Sequence, residues 1–202
     1  MSSPALACET PTAERIAEIA AALFAERGYA AVSMREIAGT VGMKAASLYN
    51  HFADKESLYL AAVTQAFSGI SEAIDKATAV QGTPKERLQA LIAALAGDHF
   101  KDDVAAKLLQ REVLDGDEAR LDWISENLFK QTFHQFSEVL GEIMHSDDND
   151  RMALFVSALV TGYTSFSPFF QRVGGDAFIS DIGVFSSEIA DRMVRNLERA
   201  EP

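Results

Sequence analysis

Cysteine is nearly absent. Cys8 alone, in a polar N-terminal stretch, excludes an internal disulfide and any cysteine-rich zinc or iron–sulfur site. Long apolar runs are missing as well: no uninterrupted stretch approaches the roughly 20 residues that span a bilayer. MSSPALACETPT also lacks the basic region and apolar core of a signal peptide, so a cytoplasmic protein with no membrane partner is expected. Basic residues are in deficit, 18 Lys and Arg against 30 Asp and Glu, for a net charge of −12. A field of that sign repels phosphate at long range, which argues against a protein that coats nucleic acid or an anionic membrane. The deficit is uneven, because residues 1–56 carry five basic and seven acidic side chains whereas 57–202 carry 13 and 23.

Histidines are few and scattered. His99, His134 and His145 have no second ligand at the i, i+4 spacing that metal sites on helices favour, so no metal is expected. A phosphate-cradling glycine loop, a nucleophile elbow and a compelling carboxylate pair are missing too. No cofactor is implied, and the sequence does not read as an enzyme.

What is present is ordinary globular composition, 48% hydrophobic and 24% charged, over 202 residues. That length suits one small module and one larger core. Helical periodicity dominates from Thr12 to Arg199 without a convincing alternating strand, which predicts an all-α protein of about nine helices. A tail over 1–11 precedes a first domain at 12–56 and a larger one at 57–202.

In the first domain Ile16, Ile19, Ala20, Leu23 and Phe24 share one helical face, and Gly28 stands where a left-handed stop belongs. Ser33-Met34-Arg35-Glu36 reads as a reciprocal capping box, with Val32 and Ile37 in the positions of a hydrophobic staple. A two-turn helix then runs to Val41-Gly42-Met43, a second short helix spans Lys44 to His51, and Asp54 caps a longer one. Two short helices around a glycine turn, braced by a preceding helix, make a helix-turn-helix.

Over residues 12–60 the chain closely resembles the DNA-binding region of the TetR family of bacterial transcriptional regulators. The resemblance rests on Leu23-Phe24, Gly28-Tyr29, Ser33 to Ala38, Gly42, Leu48-Tyr49, Phe52 and Lys55 to Tyr59 in fixed register, about a quarter of the chain. It implies double-stranded operator DNA as partner. Phosphate contacts would come from Ser33, Ser47, Tyr49, His51 and Lys55, and base reading from Lys44, Ala45 and Ala46. Plainer roles compete: Ser33 as a cap, Tyr49 as a half-buried ring, His51 as a residue that suits a helix end. Lys55 carries an argument of its own, since a cation in the first turn of a helix opposes the dipole unless an external anion meets it. Lys44 replaces the usual small polar residue that opens the recognition helix, which leaves that helix without a side-chain cap.

The resemblance further implies a homodimer joined through its last two helices and a small-molecule effector held by the middle ones. In the helix after the acidic SDDND stretch, Met152, Phe155, Leu159, Gly162 and Phe166 read as the core stripe, with Pro168 kinking the helix. Ala158, Thr161 and Ser165 offer a small-residue face for a dimer, together with Ile189 and Met193 of the last helix. Trp123, Phe129, Phe133, Phe136, Tyr163 and Phe166 are candidate pocket walls or plain core, and His99, Arg111, Glu112 and His134 are eligible polar anchors. The expected function is a ligand-responsive regulator, a repressor released by its effector. An activator or a partner-responsive regulator of the same fold is the alternative, and a helical enzyme or carrier retaining the motif the more remote one.

Overall fold

The computed structural model describes residues 12–97, 104–144 and 148–198, and every described element is helical. The chain divides into two units, residues 1–66 and 67–202. The boundary falls ten residues beyond the one the sequence suggested. The physical reason is helix α4 (Lys55–Thr78), a single uninterrupted helix whose first turns bury Leu58, Tyr59, Ala62 and Val63 in the first unit.

The first unit starts with α1 (Ala13–Arg27), where the Thr12 hydroxyl accepts from the Arg15 amide and the chain leaves through Gly28. Helix α2 (Met34–Val41) is capped by Ser33, which accepts from the Glu36 amide at 3.3 Å, and Val32 and Ile37 are both buried as a staple requires. Only half of the expected capping box forms. The Glu36 carboxylate pairs with Arg27 at the end of α1, and so ties the two helices together. Gly42 turns the chain in the left-handed region (φ 82°, ψ 27°) before α3 (Ala45–Leu48). Ile16, Ala20, Phe24, Ile37, Leu48 and Leu58 are fully buried in this unit. At about 1.5–3 kcal/mol for each large apolar side chain, their burial is what holds such short helices together.

In the second unit α5 (Pro84–Ala96) opens with a complete reciprocal box, Glu86 amide to Thr83 hydroxyl and Thr83 amide to Glu86 carboxylate. It packs against α11 (Ile182–Glu198), and Lys85 pairs with Asp191 at 2.6 Å between them. Helix α6 (Val104–Asp115) precedes α7 (Glu118–Ile124), which widens into a π turn over Ser125–Phe129 and continues as α8 (Lys130–Met144). Asn149, the first residue of α9 (Asn149–Ser165), lays its side chain over Gly141 of α8, where a Cβ would lie 2.2 Å from Nδ2. The core joins Leu88, Leu91 and Ile92 of α5 to Phe136 and Leu140 of α8, Val156 and Val160 of α9, and Phe185 of α11.

Two expectations are corrected in α9. The helix does not merely kink at Pro168: it ends at Ser165, and after Phe166 the chain starts α10 (Ser167–Gly174), the two segments being bent by 77°. Proline at the second position of α10 costs no hydrogen bond there, so it starts a helix rather than bending one. The stripe expected to face the core is largely the exposed one: Phe155, Leu159 and Phe166 face outward, while Ala153, Val156 and Val160 are buried. Among the described residues no single helix is long and apolar enough to cross a membrane, and no group of His, Cys, Asp and Glu is placed to hold a metal ion.

Candidate nucleic-acid interface and effector cavity

The Gly42 turn fixes the segment expected to read bases. A φ of 82° is open to glycine and costly to most other residues, and it lets the Met43 amide reach the Ala38 carbonyl at 2.9 Å. Lys44 follows in extended conformation at the N-cap of α3 and makes no side-chain cap bond, as expected where lysine stands in place of a small polar residue. The regular helix is shorter than expected, four residues, and the chain continues to Phe52 in tight turns, with His51 amide to Leu48 carbonyl at 3.0 Å. Leu48 is fully buried and anchors the segment. That anchor leaves Lys44, Ala46, Tyr49 and His51 exposed, with Ala45 and Ser47 half-buried. A phenol ring 53% exposed beside a cation and two small side chains is costly as surface and useful as a contact. Ser33 is exposed too, although its hydroxyl already serves as a cap.

Lys55 has a companion that the sequence did not reveal. Its Nζ sits 4.3 Å from the centre of the Tyr29 ring, and that ring meets Tyr59 edge-on at 5.0 Å. The negative face of the ring offsets the unfavourable position of a cation at a helix start. Asp54 caps the same turn: the Ser57 amide donates to its carboxylate at 2.7 Å, and these Ser57 bonds hold the Asp54 carboxyl below its ordinary value.

Two cavities of the second unit are formed by described residues. The larger, about 560 Å³, lies between α4, α5, α6, the π turn, α8 and α9. Phe129, Phe133 and Phe136 line it, as expected of pocket walls, joined by Ile70, Leu95 and Leu109, and Phe129 is braced edge-on by Phe67 at 5.0 Å. Ser125, Glu126 and Lys130 were not foreseen there. Periodicity cannot see a π turn, which places Ser125, Glu126 and Phe129 in the lining. Thr161, expected at a dimer face, is half-buried and lines this cavity.

The smaller cavity, about 460 Å³, lies where α9 breaks into α10, and Tyr163 and Ser165 line it. Tyr163 stacks on Phe185 at 4.3 Å and on Phe178 at 5.1 Å, and its hydroxyl accepts from the Ile179 amide at 2.8 Å. Trp123, Arg111 and Phe166 contribute to neither cavity; Trp123 and Arg111 are half-buried and Phe166 is exposed. Glu112 is also outside both: it is wholly buried and accepts from Arg120 Nε at 2.7 Å, so its charge is spent within the fold. His134 is exposed with Nε2 3.3 Å from Glu138, and His99 lies outside the described residues. Ile189 and Met193 pack partly buried against the unit's own core, whereas Ala158 is exposed among Leu154, Phe155 and Leu159.

A glycine-turned helix pair braced by a preceding helix, with its outer helix presenting a cation, small side chains and a phenol, defines a helix-turn-helix domain of the kind that binds DNA. Residues 16–62 match the family described as bacterial regulatory proteins, tetR family, so the match covers this domain. Among curated proteins it is 40% identical over 81 residues to the HTH-type transcriptional repressor KstR2 of Mycobacterium tuberculosis. It is 33% identical over 75 residues to the HTH-type transcriptional activator FasR of Mycolicibacterium smegmatis. These matches span 38% and 34% of the two relatives' own lengths. The fold is shared over nearly the whole chain: the solved structure of the ketosteroid transcriptional regulator KstR2 of Mycobacterium tuberculosis superposes with a TM-score of 0.61 at 23% identity, covering 92% of each chain.

Proposed function

We propose that the protein is a homodimeric transcriptional regulator that binds palindromic operator DNA through its first unit and answers to a small molecule held in the second. The observation that carries this reading is the exposed row from Lys44 to His51, set on a buried Leu48 by the left-handed Gly42 turn. Short, stiff donors on Ser47, Tyr49 and His51 suit phosphate oxygens and fix register, while Lys44 and the alanine methyl groups suit base edges. One four-residue helix reads too few base pairs alone, so two protomers are required. The apolar surface of Leu154, Phe155, Leu159 and Phe166 gives them a face on which to meet.

Repression is the first reading, in keeping with the repressor KstR2, and activation the second, in keeping with the activator FasR. Regulation works by population shift: DNA favours one spacing of the two recognition helices and the effector another. The uninterrupted α4 is the element through which the second unit would act on the first.

Salt titration separates positioning residues from reading ones. Lys55→Ala should weaken binding to operator and scrambled DNA alike, and make the slope of log affinity against log salt shallower by about 2 per dimer, at roughly 0.9 per phosphate. Lys44→Ala should instead relax preference at one base position per half-site, by about 1–3 kcal/mol if the amine meets guanine. An unchanged slope for Lys55→Ala, or uniform weakening by Lys44→Ala, contradicts the assignment.

A further inference from the structure

We infer that the larger cavity of the second unit takes an uncharged, largely apolar molecule bearing one or two oxygen acceptors, a ketone, ester or alcohol. This rests on the reading of that unit as the effector-binding one. Size sets the first limit. About 560 Å³, at about 30 Å³ for each water displaced, admits on the order of 20 non-hydrogen atoms. The lining sets the polarity: Phe129, Phe133, Phe136, Leu95 and Leu109 form an apolar, aromatic wall that rewards a rigid hydrocarbon body.

Charge sets the third limit. The two ionic side chains of the lining, Glu126 and Lys130, already hold each other through both carboxylate oxygens at 2.7 and 2.8 Å, and both are well exposed. An exposed pair is cheap to separate, so it does not bar a charged ligand by itself. It offers such a ligand no net gain either, because a carboxylate that reaches Lys130 also meets Glu126, and an ammonium meets the reverse. The acidic surplus of the chain adds long-range repulsion against anions. Among the apolar walls, away from that exposed pair, a charged head would lose its hydration for nothing in return.

What the cavity does offer is hydroxyls. Thr164, one turn along the same helix, turns its hydroxyl back on the Val160 and Thr161 carbonyls at 2.9 and 3.1 Å. Thr132, Ser157 and Thr161 of the lining make no such bond among the described residues, and each is half-buried. Hydroxyls that are half out of water and uncommitted are donors for a ligand oxygen.

The test uses prodan, an uncharged naphthyl ketone whose emission moves to the blue on leaving water, with the full-length protein. Binding with a blue shift is expected. Leu109→Trp, which fills the cavity, should abolish it, and Gln171→Trp, in the lining of the smaller cavity, should leave it intact. Ser157→Ala combined with Thr161→Val should weaken it about three- to tenfold. Dodecanol, dodecanoate and dodecylammonium, each below its micelle concentration, then share one tail with three charge states; the alcohol should displace prodan roughly tenfold better than either ion. The inference is overturned if dodecanoate displaces best and Lys130→Met removes that preference, if prodan fails to bind, or if it survives Leu109→Trp. Binding without any change in operator affinity would sustain this ligand class and instead defeat the proposed effector role.

Discussion

Gly42 shows how a single residue can set the site. Its φ of 82° and ψ of 27° lie in the left-handed region, and a Cβ there would meet nothing within 4 Å, so the penalty for replacing it is backbone strain alone. Gly42→Ala should cost about 1–2 kcal/mol, and Gly42→Asn less, because asparagine tolerates this conformation. Urea denaturation checks the order; equal stability of all three proteins would mean the turn is not held left-handed in solution. That glycine was legible in the sequence because local conformation is encoded locally. The bond from Arg27 to Glu36 and the seat of Lys55 on Tyr29 were not, since each joins residues from different parts of the fold. Glu36 had a local partner at Ser33 within reach, and the tertiary one won.

At the scale of the element, α9 explains what periodicity can and cannot say. Spacing found an apolar stripe through Phe155, Leu159 and Phe166 but assigned it to the core, because an outward-facing stripe and an inward-facing one share the same 3.6-residue period. What separates them is the second, less bulky stripe of Ala153, Val156 and Val160, which fills the space against α5 and α8. Ala158 lies at the centre of the outward stripe. Ala158→Glu should therefore leave helical content intact in the protomer and yield monomers, since burying an unpaired carboxylate at an interface costs several kcal/mol. Sedimentation reads the outcome, and a dimer unchanged by this substitution would move the interface elsewhere. Element type was legible along nearly the whole chain; the π turn and the break before α10 were not, because both depend on how neighbouring helices pack.

At the scale of the whole molecule, the proposed regulator is one acidic chain that recognises DNA by sequence and not by bulk charge. With a net of −12 and only five basic residues in 1–56, non-specific attraction is expected to be weak, so the proposed affinity rests on a two-fold site. The most direct measurement is selection of bound duplexes from a random library, followed by footprinting, with Tyr49→Ala beside the unaltered protein. The account predicts one enriched palindrome whose half-sites lie about 34–36 Å apart or modestly more, occupied by two protomers and lost with Tyr49→Ala. An unenriched library, or a single asymmetric half-site protected by one protomer, would contradict it.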